Sequence, residues 1–228
     1  VYFGTEYYDL TGLALPLVHL SVFTILVSTG LFLDLRLVTA LAIVPSPPQV
    51  SATAYLLIDA ESGAILAEQN ADQPVPPASL TKMMTSYILA GEISEGRVAE
   101  TDMVVVSENA WSQNPVFKGS SLMWIEPGKD VSVADLQRGI IVSSGNDATV
   151  AVAEHVAGSE AVFVDMMNAN AEKLGMVDTY YTNSHGLPDP NHVTTARDLA
   201  TLADNRCQQG GTTLDIVGIP ATIEALRK

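Results

Sequence analysis

Two short strand patterns joined by a turn are followed by segments whose apolar residues repeat at helical spacing, and this order restricts the chain to mixed folds. Thr53-Ala54-Tyr55-Leu56-Leu57-Ile58-Asp59 has strand composition, Ala60-Glu61-Ser62-Gly63 has turn chemistry, and Ala64-Ile65-Leu66-Ala67-Glu68 runs back, which predicts an antiparallel hairpin. From Ser79 onward Leu80, Met83, Met84, Tyr87 and Ile88 fall at i, i+3, i+4 spacing, predicting a helix whose apolar stripe lies in the core. Its methionines are read as core filling, since Met packs irregular gaps. Met103 to Val106 predicts a minor strand, and Glu126-Pro127-Gly128-Lys129 a turn. Ser132 is a predicted N-cap for a helix through Val142, with Asp135 favouring its positive end. Further helices are expected from about Asp147 to Ala157 and from about Glu160 to Leu174, the last ended by Gly175.

A chain of 228 residues with 47% apolar and 16% charged residues can bury a substantial core. Its formal charge of −15 argues against nucleic acid as a partner and against simple electrostatic docking on an anionic membrane. The single cysteine, Cys207, excludes an internal disulfide and a cysteine zinc cluster. With no His-Glu-x-x-His pair, neither zinc catalysis nor any cofactor is predicted.

Leu10 to Leu33 contains no Asp, Glu, Lys or Arg, and apolar character resumes from Leu37 to Val44. The first stretch is long enough to span a bilayer, although Gly12, Pro16, His19 and Gly30 weaken it. A signal peptide with Ala40-Leu41-Ala42 as its small-x-small site is the sharper alternative, and a buried core helix the third. Against a tidy signal, Glu6 and Asp9 stand where positive charge is expected. Pro45-Ser46-Pro47-Pro48 reads as a linker. The expected organisation is therefore a hydrophobic signal or anchor segment with its linker over 1–50, a globular domain over 51–204 and a divergent tail over 205–228.

Two motifs carry chemistry. Ser79-Leu80-Thr81-Lys82 places a hydroxyl and an amine on one face of a helix start, so Lys82 can act as base towards Ser79, a poor nucleophile without help. Ser144-Gly145-Asn146 follows the apolar stretch Leu136 to Val142, where a loop between helices can present a hydroxyl and an amide. Each alone is unremarkable: a serine and an exposed lysine at a helix start, and an ordinary helix-to-helix turn. Together they predict one cleft in which Ser79, Lys82, Ser144 and Asn146 converge.

The run Pro77-Ala78-Ser79-Leu80-Thr81-Lys82-Met83-Met84-Thr85, with Gly119-Ser120-Ser121, Gly139 to Asp147 and His185-Gly186-Leu187-Pro188, resembles the serine-type D-alanyl-D-alanine carboxypeptidases, the low-molecular-mass penicillin-binding proteins. The resemblance runs from about Ala52 to Ala203 and implies an α/β plus all-α, β-lactamase/transpeptidase-like fold. It implies that Ser79 attacks the penultimate D-alanine of a peptidoglycan stem peptide ending in D-Ala-D-Ala and that β-lactams acylate the same serine. Lys82 would take the Ser79 proton, held neutral by burial and a nearby positive charge. Ser144 would relay a proton to the leaving nitrogen, Asn146 would hold Lys82 and the substrate amide, and the Ser79 N–H would supply half of the oxyanion hole. His185 either lies near the pocket or turns its ring to solvent, and it is kept out of the catalytic set.

The chain departs from the family's pattern in having no Lys-Thr-Gly run, and after about Asp204 the sequence stops resembling the expected strands. The expectation is a truncated or frame-shifted relative with C-terminal strands missing, delivered to the periplasmic face of the bacterial cytoplasmic membrane. Two rivals stand beside it. A class A β-lactamase shares Ser-x-x-Lys but usually reads Ser-Asp-Asn where this chain has Gly145, and a non-catalytic peptidoglycan-binding remnant would follow from loss of the third motif.

Overall fold

In the computed structural model, residues 47, 50–59 and 62–208 are described. The expectations for the hydrophobic segments before Pro45 and for the tail from 209 lie outside the described residues. Strand β1 (Tyr55–Ile58) pairs antiparallel with β2 (Ile65–Gln69), in register from Tyr55 opposite Gln69 to Leu57 opposite Ala67, with an irregularity at Ile58. Asp59 closes the turn: its Oδ1 accepts from the Ser62 N–H at 2.8 Å and the Ser62 hydroxyl at 2.6 Å. The predicted hairpin thus forms, each strand trimmed at its start.

Strand β3 (Met103–Val105) is the expected minor strand, and its partner β4 (Asp130–Ser132) was not predicted, because three residues after a turn carry no readable alternation. Among the described residues there are five α-helices: α1 (Lys82–Ser94), α2 (Val133–Val142), α3 (Asn146–Ala157), α4 (Glu160–Leu174) and α5 (Ala196–Gln208). Ser132 caps α2 by accepting the Asp135 N–H at 3.1 Å, and α4 ends at Gly175 with φ 79°, both as expected. Helix α5 was not foreseen, and it carries the backbone through Gln208, past the point at which a divergent tail was expected.

Helix α3 is the centre of the unit, packed by α1, α2, α4 and β3. Every residue from Asn146 to Ala153 is buried, so the helix has no solvent face before its last turn, where His155 is exposed; Ala148, Ala151 and Ala153 let its neighbours approach closely. One apolar cluster joins Val133, Leu136 and Ile140 of α2 to Val150 and Val152 of α3, with Phe117 and Val104. The other joins Met84 and Ile88 of α1 to Phe163 and Met167 of α4, with Met176, Tyr181 and Leu202. Leu80 departs from the expected stripe, being 51% exposed. It precedes α1 in a tighter turn, and the buried side of that segment is given to Thr81, Lys82, Thr85 and Ser86. No described helix is long and apolar enough to cross a membrane.

Leu136 is fully buried and Val142, on the same helix, is 78% exposed. Urea unfolding is expected to show a loss of about 2–5 kcal/mol for Leu136→Ala and less than about 0.5 kcal/mol for Val142→Ala. Equal losses would contradict this packing.

Candidate active site

Ala78–Thr81 forms a 3-10 turn, and the α-helix begins only at Lys82. This corrects the expectation of an α-helix from Ser79, with a consequence for geometry: in a 3-10 turn residues i and i+3 eclipse. Lys82 Nζ accordingly lies 3.3 Å from Ser79 Oγ. The Leu80 N–H is already bonded to Pro77 O at 3.1 Å, so the turn offers fewer free donors than an open helix end would. Ala78 takes φ 48°, a left-handed conformation that β-carbon residues adopt at a cost.

Lys82 is 5% exposed. Besides Ser79 Oγ, its Nζ donates to Asn146 Oδ1 at 2.6 Å and to the His185 carbonyl at 2.7 Å. An ammonium has three N–H donors, and these three acceptors match them. Loss of one proton leaves a lone pair that can face Ser79 while the other two bonds persist. Burial pushes the Lys82 amine down from its ordinary 10.5 to about 8, with Asp147 opposing. The nearby positive charge expected from the sequence is not found among the described residues: desolvation lowers the amine, and the charge that acts on it, that of Asp147, is negative.

Ser144 lies in the turn between α2 and α3 at φ 52°, and its hydroxyl donates to Ser79 Oγ at 3.0 Å. Asn146 is the first residue of α3, and its N–H donates to Ser121 O at 2.9 Å, joining the Gly119-Ser120-Ser121 segment to this motif. All four residues singled out in the sequence are thus brought together.

Asp147 was missed. Its carboxylate, fully buried, accepts from the N–H groups of Met123, Trp124 and Ile125 at 2.8, 2.8 and 3.2 Å, and from Ala148 N–H at 2.9 Å. It straps the 121–125 segment against the Ser144 turn and holds Trp124 at φ 69°. A carboxylate in the first turn of a helix is usually a surface feature, and only the wrapped backbone reveals its use here.

The 184–186 loop forms the remaining wall. Thr85 Oγ1 donates to Ser184 O at 2.7 Å, beside the Lys82 bond to His185 O. Gly186 sits at φ 91°, where an added Cβ would meet Ala78 O at 1.8 Å, so only glycine permits this approach. The alternative of a His185 ring in solvent is corrected: the residue is 6% exposed, its ring edge-on to Phe117, and its Nδ1 accepts the Leu187 N–H at 3.1 Å. His192 lies in a loop and is buried; its Nδ1 accepts the Thr182 N–H at 3.1 Å, which leaves Nε2 to donate to Thr81 Oγ1 at 2.8 Å. Among the described residues no cluster of metal-ligating side chains occurs.

Burial, with Lys82 and His192 adding to it and Glu160 opposing, pushes His185 from 6.5 down to about 4; burial lowers His192 as well, against Asp189. A folded-state value below the unfolded one means that unfolded chains bind protons that the folded chain refuses. Stability is therefore lost as pH falls from about 6.5 towards 4. Urea midpoints are expected to fall between pH 7 and pH 5 and to fall less in His185→Gln. A midpoint that rises on acidification, or a variant with the full loss, would contradict this.

The D-alanyl-D-alanine carboxypeptidase family model matches residues 42–225. D-alanyl-D-alanine carboxypeptidase DacC of Escherichia coli is 49% identical over 156 residues, which cover 68% of this chain and 39% of that protein. DacF of Bacillus subtilis is 37% identical over 152 residues, covering 67% of this chain and 38% of the relative. The chain thus spans about two fifths of the length of these curated relatives. Among solved structures, penicillin binding protein 5 from Haemophilus influenzae has a TM-score of 0.73 at 46% identity, covering 76% of this chain and 50% of that one. Its likeness gives the described unit the β-lactamase/transpeptidase-like fold, and by the extent of the family match the chain belongs to the D-alanyl-D-alanine carboxypeptidase family.

Proposed function

We propose that this chain carries the acylating site of a serine-type D-alanyl-D-alanine carboxypeptidase that removes the terminal D-alanine from peptidoglycan stem pentapeptides and is acylated by β-lactams. One observation carries the reading: Ser79 Oγ lies between the Lys82 amine at 3.3 Å and the Ser144 hydroxyl at 3.0 Å. Such an oxygen has a base on one side and a proton donor on the other.

In the proposed course, neutral Lys82 accepts the Ser79 proton as Oγ adds to the carbonyl carbon of the penultimate D-alanine. The oxyanion takes a hydrogen bond from the Ser79 N–H. Collapse breaks the C–N bond, a proton passes through Ser144 to the leaving amine, and D-alanine departs. Water then adds to the ester, gives its proton to the base and releases the shortened peptide with Ser79 restored. Asn146 keeps the Lys82 amine in place through its 2.6 Å bond and binds the substrate amide.

The chain has no Lys-Thr-Gly run to supply a second oxyanion donor and a cation for the substrate carboxylate. Because peptidoglycan lies outside the cytoplasmic membrane, the reading also places the unit on the periplasmic face, delivered by the apolar N-terminal segment. A β-lactamase reading has no supporting observation, as the relatives are named carboxypeptidases and the second motif holds Gly145.

After prolonged incubation with penicillin, mass spectrometry of proteolytic fragments is expected to place the penicilloyl group on the Ser79 peptide. The Ser79→Ala chain should carry none, and Lys82→Ala should form the adduct at least about 100-fold more slowly. An adduct elsewhere, or none in the unaltered chain, would overturn the assignment. Rapid penicillin turnover in place of a long-lived adduct would turn the reading towards a β-lactamase.

A further inference from the structure

The carbonyl that holds Lys82 belongs to a loop, and a loop needs an anchor of its own. That anchor comes from α4. Glu160, the first residue of that helix, accepts through one oxygen, Oε1, both the Ser184 N–H at 2.9 Å and the Ser184 hydroxyl at 2.7 Å. The same oxygen lies 3.6 Å from His185 Nε2. Since Nδ1 of that ring accepts the Leu187 N–H, the neutral ring carries its proton on Nε2, facing the carboxylate. On the opposite side of the loop, the Ser184 and His185 carbonyls accept from Thr85 and Lys82 of α1, each at 2.7 Å. Asn183 Oδ1 braces the loop from within by accepting the Gly186 N–H at 2.6 Å.

A dipeptide is thus clamped between a carboxylate on one helix and an amine on another, its N–H and hydroxyl pointing one way and its carbonyls the other. We propose that Glu160 is a positioning residue for Lys82, acting through the Ser184-His185 backbone to hold the carbonyl that accepts one of the amine's protons. The proposal rests on the reading of Lys82 as the base. Glu160 has no bond to Lys82, and the charge that acts on that amine is Asp147's, so any influence of Glu160 travels through the loop. Reach, and not charge, is therefore the property required of this side chain.

Two conservative variants separate the two properties. Glu160→Gln keeps the length and an acceptor oxygen but removes the charge, whereas Glu160→Asp keeps the charge and draws the carboxylate back by one methylene. The readout is the NMR titration of the Lys82 ε-methylene in the full chain, assigned by its absence in Lys82→Met, with circular dichroism showing that each variant is folded. The unaltered chain is expected to titrate at about 8. Glu160→Gln should match it, while Glu160→Asp should titrate lower by about 0.5 or more, because a retreating His185 carbonyl withdraws an acceptor from the ammonium. Every other pattern, including three equal titrations or a shifted Gln variant beside an unshifted Asp variant, overturns the proposal. The titration needs no turnover. A chain that titrates as expected but is never acylated would refute the proposed function and leave the positioning role standing.

Discussion

The burial of one amine organises this structure. Lys82 is removed from water in a place where its N–H groups meet a serine hydroxyl, an asparagine oxygen and a backbone carbonyl, and those acceptors come from three separate stretches of chain. Desolvation alone makes the ammonium costly, and the acceptors recover part of that cost. A buried amine with its partners in place is therefore poised between its two protonation states. Removing the walls would return it to an ordinary lysine.

Much of the fold can be understood as supplying those walls rigidly. Helix α3 is buried from Asn146 to Ala153, so the asparagine at its first position cannot drift without disturbing helices α1, α2 and α4. Ahead of it, Ser144 is held at φ 52°, and ahead of Ser79, Ala78 is held at φ 48°. Conformations of this kind cost about 1–3 kcal/mol each and persist only where the surroundings over-determine them. Here the surroundings are visible: the Asp147 carboxylate gathers the N–H groups of Met123, Trp124 and Ile125 beside the Ser144 turn, and Gly186 lets the opposite wall close against Ala78.

What was legible in the sequence and what was not divide along a physical line. Ser79, Lys82, Ser144 and Asn146 could be found because the chemistry proposed for them resides in side chains whose spacing is itself the signal. The hairpin, the Ser132 cap and the Gly175 stop were legible because local backbone chemistry decides them. Backbone contributions left no such mark, so the His185 carbonyl escaped notice although the residue itself was weighed. Asp147 escaped because its worth depends on a loop more than 20 positions away wrapping around it. Leu80 was misplaced for a similar reason: its periodicity assumed an α-helix where a tighter turn forms. Helix α5 is polar along much of its length and is recognised by its packing against α1 and β1, not by its pattern.

In the proposed function a desolvated Lys82 is the group whose deprotonation arms Ser79. The most direct measurement is the second-order rate of acylation by a fluorescent penicillin from pH 6 to pH 10, in the unaltered chain and in Lys82→Arg, whose guanidinium stays protonated throughout. The rate is expected to climb to a plateau with an inflection near 8 in the unaltered chain and to stay slow without that inflection in the variant. A rate independent of pH in the unaltered chain, or the same inflection in both, would contradict it.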